Sequence, residues 1–147
     1  MFYGEYEHSL DDKSRIIIPA KFRDVLKEGF VERFVITRGL DDCLFIFSIE
    51  EWKNLEMKVK TLPLSKEGAR AFVRHLFSGA HECILDKQGR ITIPANLINH
   101  AKLKREIMVV GVLNRIEIWD REKWTKYFEK TGKKYEEIAE QLVDLGI

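Results

Sequence analysis

Proline is scarce, with three residues in 147. No stretch is dominated by glycine, serine or one repeated residue, so little of the chain reads as disordered linker. Cysteine is scarcer still. Cys43 and Cys83 make no framework of spaced pairs, which fits a reducing compartment better than a disulfide-stapled secreted fold. No apolar run approaches the roughly 20 residues a membrane helix needs. The opening MFYGEYEH carries acidic residues where a secretory leader needs a basic and then an apolar region. A cytoplasmic protein without a membrane partner is expected. An excess of one charge is lacking too. The formal net charge is +1, and division at residue 78 leaves 13 basic against 13 acidic residues, then 12 against 11. Neither half is a basic module in bulk, so a nucleic-acid surface would have to be a local patch.

The sequence also lacks the patterns that carry chemistry. It has neither a phosphate-binding loop nor a glycine-rich dinucleotide fingerprint. Its four histidines are His8, His75, His81 and His100. His75, His81 and Cys83 lie near one another in sequence, but no pair has a standard ligand spacing for zinc. His8 and Ser9 precede Asp11, yet adjacent strand residues point to opposite faces, which defeats a triad. Asp41-Asp42 reads as a turn, where aspartate is favoured for its own hydrogen bonding. We therefore expect no enzyme, no metal, no cofactor and no small-molecule substrate.

What is present is a repetition. LDDKSRIIIPA at residues 10–20 returns as LDKQGRITIPA at 85–95, and residues 4–20 laid over 79–95 share nine identities. The match resumes at an offset of 72, where Gly39 meets Gly111, Ile46 meets Ile118 and Trp52 meets Trp124. Two divergent copies of one unit are the simplest account.

Each copy reads as a short strand (5–10 and 80–85), a polar four-residue turn (DDKS or DKQG) and an isoleucine-rich strand, which together predict a hairpin. Gly89 suits a turn position with positive φ better than Ser14 does. The following proline fits the first turn of a short helix, PAKFRDVL or PANLINHA. Two more strands complete each unit, FVITRG with CLFIFS and IMVVGV with RIEIWD. A unit this small buries little core alone, so the copies should pack together with strands interleaved. Ser48-Ile-Glu-Glu51 resembles a capping box and starts a helix to about Thr61. Ser65 should open another that ends at Gly79. Asp120 caps the helix REKWTKYFEK, Gly132 interrupts it, and KKYEEIAEQLVDLG forms a last amphipathic helix with Ile138, Leu142 and Leu145 on one face and Tyr135 a turn earlier. Trp52 and Trp124, at equivalent helix starts, read as core anchors.

The polar element common to both copies is Asp-x-x-x-Arg, Asp11 with Arg15 and Asp86 with Arg90. A structural reading makes it an ion pair that pins a turn, worth only about 0–1 kcal/mol if exposed. A functional reading notes the basic residues around it: Lys13 and Lys87 in the turns, Lys21 and Arg23 just after the first. A carboxylate beside an arginine can also hold the guanidinium in one orientation, which bidentate recognition of guanine requires, and a β-ribbon can enter the major groove.

On these residues the sequence resembles the MraZ family of bacterial transcriptional regulators, related to the AbrB-type swapped-hairpin DNA-binding proteins. The resemblance runs from MFYGEYEH through RHLFSGAHEC to VVGVLNRIEIWD and covers the whole chain. It implies an α+β fold of two tandem AbrB-like hairpin-and-helix repeats in a pseudo-symmetric β-barrel, with helices after each repeat. The divisions would be 1–62, a connecting helix at 63–78, and 79–147. It implies a nucleoid-associated protein that assembles into a homo-oligomeric ring and binds direct repeats in double-stranded DNA upstream of the division and cell-wall genes, its own included. Carried over, Arg15 and Arg90 contact bases or backbone, Lys13 and Lys87 contact phosphates, Asp11 and Asp86 position the arginines, and Lys21 and Arg23 add to the surface. Two positions depart from the family's pattern. Ser14 stands where the first turn usually has glycine, and Ile98 stands where the first copy has Arg23, so copy one is expected to be the stronger half. The competing reading is an oligomeric scaffold or protein-binding module without DNA.

Overall fold

A computed structural model of the chain describes residues 1–28 and 31–146. The first copy contributes β1 (Phe2–Ser9), β2 (Arg15–Ile17), helix α1 (Ala20–Leu26), β3 (Lys27–Glu28), β4 (Val31–Arg38) and β5 (Leu44–Ser48), followed by α2 (Ile49–Val59) and α3 (Glu67–Ser78). The second repeats this with β6 (His81–Ile84), β7 (Arg90–Thr92), α4 (Ala95–Ala101), β8 (Glu106–Leu113), β9 (Arg115–Asp120), α5 (Arg121–Gly132) and α6 (Tyr135–Gln141), and a 3₁₀ turn at Val143–Leu145. The class is α+β with antiparallel strands throughout. Among the described residues no helix is long and apolar enough to cross a membrane.

The expected hairpins do not form. β1 turns into β2 but pairs with β8 of the other copy, and β2 pairs with β7. Likewise β6 leaves β7 and pairs with β4. The copies are thus interleaved, and each polar turn is a corner between two sheets. One sheet has seven strands in the order β1-β8-β9-β5-β4-β3, with β6 also on β4; the other is the β2–β7 ribbon. Among the described residues no ladder joins β1 to β3 or β6. The exchange has a physical reason. Ile16 and Ile18 sit on a strand of three residues and its edge, and a hairpin inside one copy would leave them little to pack on. Pairing Ile16 with Ile91 buries both, at 1% and 3% exposure.

Register reveals a pseudo-twofold axis. In the β5–β9 ladder Leu44 faces Ile118 and Ile46 faces Ile116, so a shift of 72 positions returns one pair as the other, about the central pair Phe45–Glu117. In the ribbon Arg15 faces Thr92 and Ile17 faces Arg90, related by the shift of 75 about Ile16–Ile91. The axis runs through both central pairs.

Strand alternation then sorts side chains into layers. Phe34, Ile36, Leu44, Ile46, Ile107, Val109, Ile116 and Ile118 face inward and meet Ile16, Ile18, Ile91, Ile93 and the buried faces of α1 and α4 in one core. Phe22 of α1 takes Phe2 and Tyr6 edge-on, each at 5.4 Å between centroids. On the outer face Val35 and Phe47 are covered by Trp52 of α2 and Leu76 of α3. Met108, Val110 and Trp119 are covered by Trp124 of α5. Trp52 is buried and Trp124 only half-buried, so the two equivalent anchors are unequal.

The helix starts differ from expectation in detail. Ser48 Oγ accepts from the Glu51 amide at 3.2 Å and Asp120 Oδ2 from Lys123 at 3.3 Å, as expected of caps. Ser65 is no cap, because α3 begins at Glu67 without a side-chain cap. Pro19 and Pro94 stand at the cap position rather than in the first turn. Their carbonyls accept the first helical bonds, from Phe22 at 2.9 Å and from Leu97 at 3.0 Å. Gly132 ends α5, and the last helix is split into α6 and the 3₁₀ turn.

Ser14 and Gly89 both have positive φ, +59° and +74°. An L-residue pays for that conformation and glycine does not. Ser14→Gly should therefore raise unfolding stability by about 0.5–1 kcal/mol, whereas Gly89→Ala should lower it by about 1–2 kcal/mol. Urea denaturation of both variants checks the pair.

Candidate nucleic-acid interface

Each corner is built by one aspartate. Asp11 Oδ1 accepts from the backbone amides of Lys13 and Arg15, both at 2.9 Å, and its Oδ2 accepts from Arg15 Nε at 2.7 Å. Two backbone bonds close the turn, Asp11 N–H to the Arg15 carbonyl and Ser14 N–H to the Asp11 carbonyl, both at 3.0 Å. Asp86 repeats this with the amides of Gln88 and Arg90 at 2.9 and 2.8 Å and with Arg90 Nε at 2.8 Å. The spacing of four is what this turn demands. The carboxylate must reach two amides of its own turn and then the side chain that leaves it. Both carboxyls are held below the ordinary carboxylate value, first by the backbone N–H of Arg15 or Arg90.

The turn fixes where each arginine can act. Nε is spent on the aspartate, and four N–H groups remain on Nη1 and Nη2. In the second copy Arg90 Nη2 also donates to Gln88 Oε1 at 2.6 Å. Lys13 stands at the position equivalent to Gln88, so the first arginine keeps more of its fork unspent.

The ribbon brings the two corners together. Ile16 and Ile91 point into the core, so Arg15, Ile17, Arg90 and Thr92 share the outer face. Arg15 is opposite Thr92 and Arg90 opposite Ile17, which makes the arginines a diagonal cross-strand pair with backbones about 7–8 Å apart. Their side chains are 27% and 25% exposed. Lys13 and Lys87 are exposed in the two corner turns and Lys21 is exposed on α1. Ile17 and Thr92 were missed as members of the face. The period-2 alternation of RIIIP and RITIP would have placed them beside the arginines.

Arg23 lies elsewhere than its sequence position suggests. Its guanidinium covers the other copy's corner, where a Cβ on Gly89 would come within 2.9 Å of Cζ. Its Nε is a buried atom without a hydrogen-bond partner among the described residues. The corners also bond across the axis, Ile18 N–H to the Gly89 carbonyl at 2.9 Å and Ile93 N–H to the Ser14 carbonyl at 2.8 Å. The residue equivalent to Arg23 is Ile98, which packs on the core. The departure at Ile98 therefore removes a cation from the neighbourhood of the first corner, and Arg23 enriches the second. A side chain at 89 would have to push the Arg23 guanidinium aside, in addition to adopting the positive φ.

Two interleaved copies, joined at an exposed ribbon with an aspartate-clamped arginine at each corner, define the class: a tandem swapped-strand protein with a cationic ribbon face. Comparison with known proteins gives the family. The sequence matches the family described as "MraZ protein, putative antitoxin-like" twice, over residues 1–75 and 76–145. It is 56% identical over 147 residues to "Transcriptional regulator MraZ" of Thermoanaerobacter sp. (strain X514). It is 52% identical over 147 residues to the proteins of that name from Caldanaerobacter subterraneus subsp. tengcongensis and Natranaerobius thermophilus. In each case the full length of both proteins is covered. This protein belongs to the MraZ family.

Because the largest cause of the lowered carboxyl values is a backbone amide, the shift should survive loss of the arginine side chain. In Arg15→Met, Asp11 should still titrate below 3.8, read from carboxyl carbon shifts by NMR. The sign follows from the direction. A carboxyl lowered in the folded state stabilises the fold above its unfolded value, and the contribution is lost as pH falls through the lowered one. A return of Asp11 to the ordinary value in Arg15→Met would mean that the ion pair, not the turn, sets it.

Proposed function

We propose that this protein is a DNA-binding transcriptional regulator whose reading surface is the outer face of the β2–β7 ribbon. One observation carries the reading: two arginines on that face are each gripped at Nε by an aspartate, leaving the Nη edge for a ligand. That edge is the one a guanidinium presents to guanine O6 and N7. A two-stranded ribbon fits the major groove. A separation of about 7–8 Å between the arginines spans about two base steps at roughly 3.4 Å each. Arg15 and Arg90 read bases. Lys13, Lys21 and Lys87 meet phosphates, Asp11 and Asp86 hold the arginines, and Arg23 serves the second corner. The regulator names of the relatives support the assignment.

One ribbon on a neutral protein binds weakly. We place the protein in a homo-oligomeric ring, where ribbons engage successive direct repeats in the nucleoid and avidity gains about 10²–10⁴-fold without new contacts. The repeats lie upstream of the division and cell-wall genes, with the protein's own gene among its targets.

Fluorescence anisotropy of a labelled duplex from the gene's upstream region, with a scrambled duplex as control, tests this. Wild type should prefer the native duplex, with affinity that falls steeply with salt. Arg15→Ala should cost about 1–3 kcal/mol on the native duplex. Arg15→Lys should keep binding to the scramble while losing the preference, since lysine has charge but no fork. Equal binding to both duplexes, untouched by either arginine, would leave the scaffold reading in its place.

A further inference from the structure

The C-terminal segment leaves its apolar residues unburied among the described residues. No residue of α6 or of the final 3₁₀ turn is buried. Tyr135 and Leu145 are each 73% exposed and Ile138 is 40% exposed. The same segment is one-signed. Residues 135–146 hold Glu136, Glu137, Glu140 and Asp144 and no basic residue. By pseudo-symmetry α6 follows α5 as α3 follows α2, yet α3 is docked on the sheet through Leu76, whose carbonyl accepts from Thr37 Oγ1, and among the described residues α6 buries none of its side chains.

The outer face of the sheet carries a complementary gap. Between α2, α3 and the β8–β9 turn lies a cavity of about 460 Å³ with Phe45, Leu55 and Phe72 in its walls. The ionisable residues that line it are Arg38, Arg115, His75 and His100, without a carboxylate. Arg115 is already paired with Glu117 at 2.9 Å. Arg38 donates to two uncharged oxygens, the His75 carbonyl and Ser78 Oγ, both at 2.9 Å, so its charge is available to a partner. Phe72 is 40% exposed at the rim.

We propose that the C-terminal segment of a second copy of this chain docks in this cavity, its Tyr135, Ile138 and Leu145 on the aromatic walls and its carboxylates toward Arg38. An amphipathic helix with its apolar face laid in a hydrophobic groove is a known recognition mode; Tyr135 and Ile138 are three residues apart on α6, and Leu145 follows from the 3₁₀ turn. Segment and cavity are different surfaces, so the contact is head-to-tail, and such contacts close into rings when the rotation permits. The inference rests on the ring of the proposed function and names the parts that would build it.

A mixing experiment tests it without DNA, so its failure leaves the ribbon reading standing. A truncated variant ends at residue 133 and keeps the cavity; a full-length variant carries Phe72→Asp and keeps the segment. By light scattering after gel filtration, each alone should fall from the wild-type oligomer to a folded species near the 17.3 kDa monomer. Mixed in equal amounts they should give a one-to-one dimer that grows no further. Circular dichroism and melting temperature of each variant confirm that the body is intact, and Arg38→Glu supplies a second cavity variant should Phe72→Asp unfold. The proposal is overturned if either variant assembles like wild type. It is also overturned if the mixture stays monomeric, as it would were the segment to fold onto its own cavity or were the cavity a seat for a small apolar anion. A monomeric wild type overturns it together with the ring, while anisotropy on the ribbon variants still decides the DNA assignment.

Discussion

The antiparallel meeting of Ile16 and Ile91 on the pseudo-twofold axis is the constraint on which the rest of the structure depends. Each strand is three residues long and too short to be stable by itself. Brought together they bury their isoleucines, set Arg15 and Arg90 diagonally on the opposite face, and fix both corners at the two ends of one ribbon. The remaining pairings follow from the same exchange. Once β2 lies across the axis, β1 and β6 are carried to the far copy's strands, and neither copy possesses a complete sheet of its own.

Within this frame the aspartate has a double task. It ties its own turn through two backbone amides and the arginine through Nε, so the geometry of the peptide turn and the orientation of the guanidinium are one arrangement. That joins the two readings of Asp-x-x-x-Arg. The residue that stabilises the corner is the one that aims the side chain. The two corners are alike in this and unlike around it, with Lys13 against Gln88, and Arg23 reaching over Gly89.

Much of this was legible in the sequence, because local chemistry and periodicity are written residue by residue. The repeat exposed the twofold relation, the alternation in RIIIP and RITIP marked buried and exposed faces, and Ser48 and Asp120 announced their helices. Three features were not legible. A strand–turn–strand pattern is the same whether the strands pair with each other or with distant partners, so it does not distinguish a hairpin from an exchange. The corner that Arg23 covers, at Gly89, is 66 positions away in sequence (89 less 23) and is set by the exchange, so it could not be inferred from the neighbours of Arg23. Ser65 looks like a cap, but the turn begun by Pro63 carries past it, with the Lys66 amide bonded to the Pro63 carbonyl at 3.1 Å.

The exchange of strands also governs when the molecule can fold. The first strand finds its partner only at residues 106–113, and the ribbon closes only once residues 90–92 exist. At about 5–20 residues per second of synthesis, β1 waits on the order of 5–20 s beside the ribosome with its edge unpaired. The amino-terminal copy, although it reads as a unit in sequence, is during that interval an open template for any passing strand. The acids Glu5 and Glu7 on that strand, with the paired acids of the first corner, are charges of the kind that discourage edge pairing.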